Sequence, residues 1–311
     1  MINTPYDDVF RTLLNDCKQL IFPVLNEIFG ENYSGNEDIK FSQNEIYLTQ
    51  QDGEQEKRIT DSCFIIRDDK KVMRYHLECE SNPDRSIIVR IFEYDAQIAL
   101  NDREQEGYRL KVNFPHTAVI ALRASGKMPE SMSVEINTPG GSVEYDVPVL
   151  KTQVYSLDEI FDKNLLFLLP FYIFSYEKQF KKYDADESQM AEMVESLKLI
   201  VKRLGDLIQD GKLDQYTAQT LIFCFNKVAK SLAVDHANVL KGVDDVMGGK
   251  ILEYEAKDIL REGEARGRKE GAMETLFGLV KDGLLTIAVA AQRAGMDLPA
   301  FEKEYKNYCG K

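Results

Sequence analysis

Two short stretches, RITDSCFII (58–66) and VMRYHLECE (72–80), joined by the five charged residues Arg67-Asp68-Asp69-Lys70-Lys71, constrain this chain more than any other feature in it. Both are rich in β-branched and aromatic residues, and so short a link between two strands closes an antiparallel hairpin. With Asp69-Lys70 at the centre of a two-residue turn, Asp61 stands directly opposite Glu78. Opposed side chains in such a pair have Cβ atoms about 4.5–5.5 Å apart, a separation at which like charges destabilise the sheet. A cation between them removes that penalty. Glu80 projects from the same side as Glu78, because strand side chains alternate. Three carboxylates therefore converge, and hard oxygen donors of this kind suit Mg²⁺ or Mn²⁺. Met73, Tyr75, Leu77 and Cys79 are expected to face the core, with the acid side left outside it. Arg74 and His76 share the acid side. A single histidine with no second His or Cys beside it makes no zinc site, so His76 is assigned no role.

Around this hairpin the periodicity alternates between helix and strand. An opening helix is expected over 5–29, with Val9, Phe10, Leu13 and Leu14 at helical spacing. A strand is expected over 45–49, a helix over 84–101 with the stripe Ile87, Ile88, Ile91, Phe92 and Ile98, and an interior strand over 111–122. The segment SVEINTPGGSVEYDV reads as a hairpin within 132–154, turned by Pro-Gly-Gly. From 157 to 262 the chain reads as almost wholly helical, and LLFLLPFYIF is a buried helix kinked at Pro170, too short for a membrane span. A tail over 263–311 carries Gly263, Gly267 and Gly271 among balanced charges, then a helical pair turned at Gly295-Met296-Asp297. The expected organisation is an α/β domain over 1–155 with the hairpin as an insertion, an all-α region over 156–262 and the tail. The helical region or the tail is a candidate surface for homo-oligomers.

Composition narrows the function classes. The net charge of −13 argues against a protein that coats DNA through a general basic surface, while leaving room for a basic cleft on an acidic body. The five cysteines are scattered, with no CxxC pair, and read as reduced core thiols of a cytoplasmic protein. The opening MINTPYDDVF carries acids where an export signal needs bases, so no such signal is expected.

The combination ITDSCFII, a charged turn, YHLECE and then a helix containing RIFEYDAQIA resembles the PD-(D/E)XK nuclease superfamily, and within it the recombination-promoting nuclease and transposase-like group. The likeness touches 6–100 through motifs and 263–308 through composition. It implies a restriction-endonuclease-like mixed sheet flanked by helices, followed by an all-α C-terminal region. On these motifs Asp61 matches the first acid and Glu78 the second. The opening YDDVFRTLL puts Asp8 at a helix acid and Arg11 at a basic position, and Arg90 and Tyr94 match an Arg and Tyr one turn apart. Glu80 is a departure: the superfamily has lysine there, and this group often glutamine.

The implied activity is metal-dependent hydrolysis of DNA phosphodiester bonds, with Asp61, Glu78 and Glu80 around Mg²⁺ or Mn²⁺. Asp8, Arg90, Tyr94 and Arg74 are expected to contact phosphate or support the acids. For Asp8 an equally good reading is an N-terminal cap of the first helix. Where the resemblance places a base, a carboxylate either supplies a further metal ligand or marks a degenerate site. The alternatives are thus a catalytically inactive nuclease fold that binds nucleic acid or a protein partner, and an assembly protein that works through its helical half and tail.

Overall fold

The computed structural model describes residues 5–41, 45–49, 55–59, 62–67, 71–82, 85–123, 128–248, 271–273, 275–281 and 283–309. They divide into two compact units, Met1–Leu252 and Glu253–Lys311.

The first unit begins with α1 (Pro5–Asp16), a 3₁₀ turn (Lys18–Leu20) and α2 (Ile21–Phe29) where one helix was expected. Pro23 accounts for the break. Inside a continuous helix it would lose one hydrogen bond and clash with the preceding turn, whereas in the first turn of α2 it is tolerated. Gly30, at φ +66°, ends α2 in the left-handed region and donates its amide to Asn26.

The strands follow as β1 (Asp38–Phe41), β2 (Glu45–Thr49), β3 (Gln55–Ile59), β4 (Ser62–Arg67) and β5 (Val72–Glu80). Then come α3 (Ile87–Asn101), β6 (Glu104–Glu106), β7 (Arg109–Lys111), β8 (His116–Ala121), β9 (Ser131–Thr138) and β10 (Gly141–Lys151). Six of them form a mixed sheet in the order β1-β4-β5-β8-β10-β9. β4 runs antiparallel to β5, while β5 pairs in parallel with β8 and β8 with β10. Parallel strands need a crossover, and α3 supplies the one from β5 to β8.

The β4–β5 register pairs Ser62 with Leu77 and Arg67 with Val72, the register expected from a turn centred on Asp69-Lys70. Asp61 immediately precedes Ser62 and lies outside the described residues, as does Asp68-Asp69-Lys70. The interior strand is shorter than the expected 111–122. Pro115 has no amide to donate, and it restricts the residue before it, so regular pairing starts at His116. The hairpin expected as an insertion is instead part of the sheet, since Val149–Lys151 of β10 pairs in parallel with Val119–Ala121 of β8.

Both sides of the sheet are covered. Tyr75, Leu77, Cys79, Ala118, Ile120 and Leu122 join one large core with apolar residues of α1, α2 and the helical region. On the other side, Ile87 and Ile91 of α3 close over Val119, Ala121, Val147 and Val149. The helical region comprises α4 (Leu157–Asp162), a 3₁₀ segment (Leu166–Gln179), α5 (Phe180–Ala185), α6 (Ala191–Gln209), α7 (Gln215–Leu232) and α8 (Ala237–Met247). The apolar run around Pro170 is buried, as expected, but as 3₁₀ rather than as a kinked α-helix. Leu157, Leu166 and Phe225 belong to the same core as Val9 and Tyr75, so the boundary expected after 155 runs through continuous packing. No helix among the described residues is long and apolar enough to cross a membrane.

In the second unit, residues 275–281, Ile287–Ala294 and Leu298–Cys309 are helical, and Phe277, Ala290, Ala291 and Phe301 form a small core. Gly295 (φ +65°) makes the expected turn. Gly263 and Gly267 lie outside the described residues.

Candidate functional site

Strand alternation puts Arg74, His76, Glu78 and Glu80 on the side of β5 that α3 crosses. This side is not the open face expected from the sequence. His76 and Asp95 are completely buried and Glu78 is 4% exposed. The reason is the crossover: α3 returns over β5 to reach β8, and its apolar stripe roofs the strand acids.

Burying charged groups requires partners, and they are present. The ring of His76 bridges two carboxylates, with Nε2 2.8 Å from Oε1 of Glu78 and Nδ1 2.7 Å from Oδ1 of Asp95. Thr117, paired with His76 in the β5–β8 register, donates its hydroxyl to the same Asp95 oxygen at 2.8 Å. Tyr145 of β10 reaches the other Asp95 oxygen at 3.5 Å. Burial alone would push the His76 pKa down, but the hydrogen bonds and charges of Asp95 and Glu78 outweigh it and raise the pKa to about 10. With a carboxylate at hydrogen-bond distance from each ring nitrogen, the arrangement favours the protonated ring.

Glu80, at the end of β5, is ion-paired with Arg90 of α3. Burial raises the Glu80 pKa, the Arg90 guanidinium opposes that rise, and the charges of Glu78 and Asp7 add to it. Of the five side chains Glu78, Glu80, Asp95, His76 and Arg90, three are acids and two are cations.

The remaining expected residues divide. Arg90 is ion-paired with Glu80. Tyr94 is fully buried, packed with Cys63 and Ile98 and edge-on to His76 at 6.0 Å, so it braces the roof and does not face a substrate. Arg74 is ion-paired with Asp102 just past α3, not with Glu78. Asp8 faces Lys227 of α7 at 3.4 Å; the α1 acid whose charge acts on Glu80 is its neighbour Asp7, because one residue turns a helix by about 100°. Asp61 lies outside the described residues. Among the described residues, no group of three His, Cys, Asp or Glu side chains has the geometry to hold a metal ion.

Sequence reasoning missed His76, Asp95, Thr117 and Arg123. A signal existed for Asp95, which continues the Ile87–Ile91 spacing by one more step of four and so falls on the buried stripe. Arg123 follows β8 and grips both carboxylate oxygens of Glu177 at 2.6 Å, while its Nη1 donates to the Ser81 carbonyl at 3.2 Å. It thereby ties the end of β5 to the 3₁₀ segment. A lone arginine after an apolar strand gave no hint of this.

No family model, curated protein or solved structure matches the chain.

Proposed function

We propose that this protein is a divalent-metal-dependent DNA endonuclease of the recombination-promoting, transposase-like kind, built on a restriction-endonuclease-like core. One observation carries the reading. Glu78 and Glu80 project from the same side of β5 at its end, beneath the crossover helix. The succession of α1, the β4–β5 hairpin, α3 and the parallel strand β8 supports the core assignment. Asp61 enters through its place in the sequence, directly before Ser62 and its partner Leu77.

Glu78, Glu80 and Asp61 would hold Mg²⁺ or Mn²⁺, for which carboxylate oxygens are suitable donors. Bound there, the ion would lower the pKa of a bound water and polarise the scissile phosphate. The protein's own contribution is electrostatic. Arg90, brought in from α3, stands beside Glu80 and offsets phosphate charge where the related pattern places a lysine in the strand. His76 fixes Glu78.

A second reading is an inactive nuclease fold that binds nucleic acid or a protein partner. It is favoured by the carboxylate at position 80 and by the ion pair that occupies it. Plasmid nicking with and without Mg²⁺ or Mn²⁺ separates the two. The endonuclease reading expects metal-dependent cutting that falls by about 100-fold or more in Asp61→Ala and in Glu78→Ala. Cutting that survives both substitutions, or no cutting with a retained gel shift, removes it.

A further inference from the structure

Four elements, β5, β8, α3 and β10, meet at the buried carboxylate of Asp95. The β5–β8 register puts Thr117 beside His76, α3 lowers Asp95 onto both, and β10 brings Tyr145 to the far oxygen of Asp95. The result is a connected network in which Thr117 and Tyr145 donate to Asp95 and the His76 ring bridges Asp95 and Glu78. Asp95 and His76 are fully buried, and Thr117 is 3% exposed. A surface charge network would leave its members mobile. This one is sealed, and a rigid ring spans two acids held on different elements.

We propose that Asp95 and His76 are positioning residues for Glu78, holding its carboxylate in the one orientation from which it meets the divalent cation. This rests on the metal-site reading above and adds to it the group that orients the ligand. Partners of this kind, one bond removed from the ion, fix the direction of a ligand's lone pairs, and their loss weakens metal affinity by about 10–100-fold. Neither residue touches substrate. Their influence passes through Glu78 Oε1.

The test is calorimetric titration of the full-length protein with Mn²⁺, comparing wild type, Asp95→Asn, Thr117→Val and Glu78→Gln, with circular dichroism and thermal melts confirming folding. Asp95→Asn keeps the shape but removes the charge that orients the ring, and is expected to raise the Mn²⁺ Kd by about 10–100-fold. Thr117→Val removes one donor to Asp95 and should raise it by about threefold or more. In nicking assays the metal concentration for half-maximal rate should rise more than kcat falls. If wild type binds Mn²⁺ through Glu78 while folded Asp95→Asn and Thr117→Val bind it equally well, the inference is wrong and the metal site stands. If Glu78→Gln binds Mn²⁺ as wild type does, the metal-site reading fails and takes the inference with it. Should Asp95→Asn fail to fold, Thr117→Val decides.

Discussion

Replacing His76 with leucine is expected to lower the unfolding free energy by about 3–5 kcal/mol at pH 7, measured by urea denaturation, because breaking a buried ionic group by removing one partner leaves its charges uncompensated. Here two carboxylates lose their shared cation at once, Glu78 at 4% exposure and Asp95 at zero. The loss of packing is minor, since leucine fills a similar volume. The control is the triple exchange His76→Leu, Glu78→Gln, Asp95→Leu, which removes the ionic group as a whole and should cost less than the single change. A single variant as stable as wild type would show that the acids are not held by the ring. The pH dependence follows from the same contact. The folded His76 pKa is raised from 6.5 to about 10, so its stabilising effect is complete below pH 6.5 and disappears as pH rises through about 10. Wild-type stability should therefore decline between those limits, and His76→Leu should lack that part of the decline.

Arg90 carries the second large expectation. If the guanidinium beside Glu80 does the work of a strand lysine, Arg90→Ala should reduce metal-dependent nicking by about 10²–10³-fold, the usual loss when one donor to developing charge is removed. The same substitution also leaves half-buried Glu80 without its cation, so a stability change alone could imitate a loss of rate. The double variant Glu80→Lys, Arg90→Ala resolves this. It puts a positive charge back at the strand position and removes the orphaned acid, and it should recover much of the lost rate. Recovery of the fold without recovery of cutting would confine Arg90 to a structural ion pair.

These expectations depend on features that the sequence revealed unevenly. The hairpin register was legible because a short charged turn between two β-rich stretches permits few alignments, and Ser62 opposite Leu77 agrees with the turn centre on Asp69-Lys70. The helix after β5 was legible from its apolar spacing. What could not be read was the consequence of α3 crossing over β5. From β5 alone the acid side looks solvated, and only the return to a parallel neighbour roofs it and turns His76 from a bystander into the centre of the cluster. The choice between Asp7 and Asp8 has the same origin, since α1 takes its rotation from the burial of Val9, Phe10, Leu13 and Leu14. The extent of the first compact unit was hidden too, because a helical region after a hairpin looks separable until Leu166 and Phe225 are found in the core with Tyr75.

Crystals grown with Mn²⁺ and measured at the manganese absorption edge decide whether the acid end of β5 binds a cation. If it does, an anomalous peak is expected at coordination distance from the carboxylates of Glu78 and Asp61. Mn²⁺ bound elsewhere on the chain, with density at Glu78 showing only His76, would contradict it.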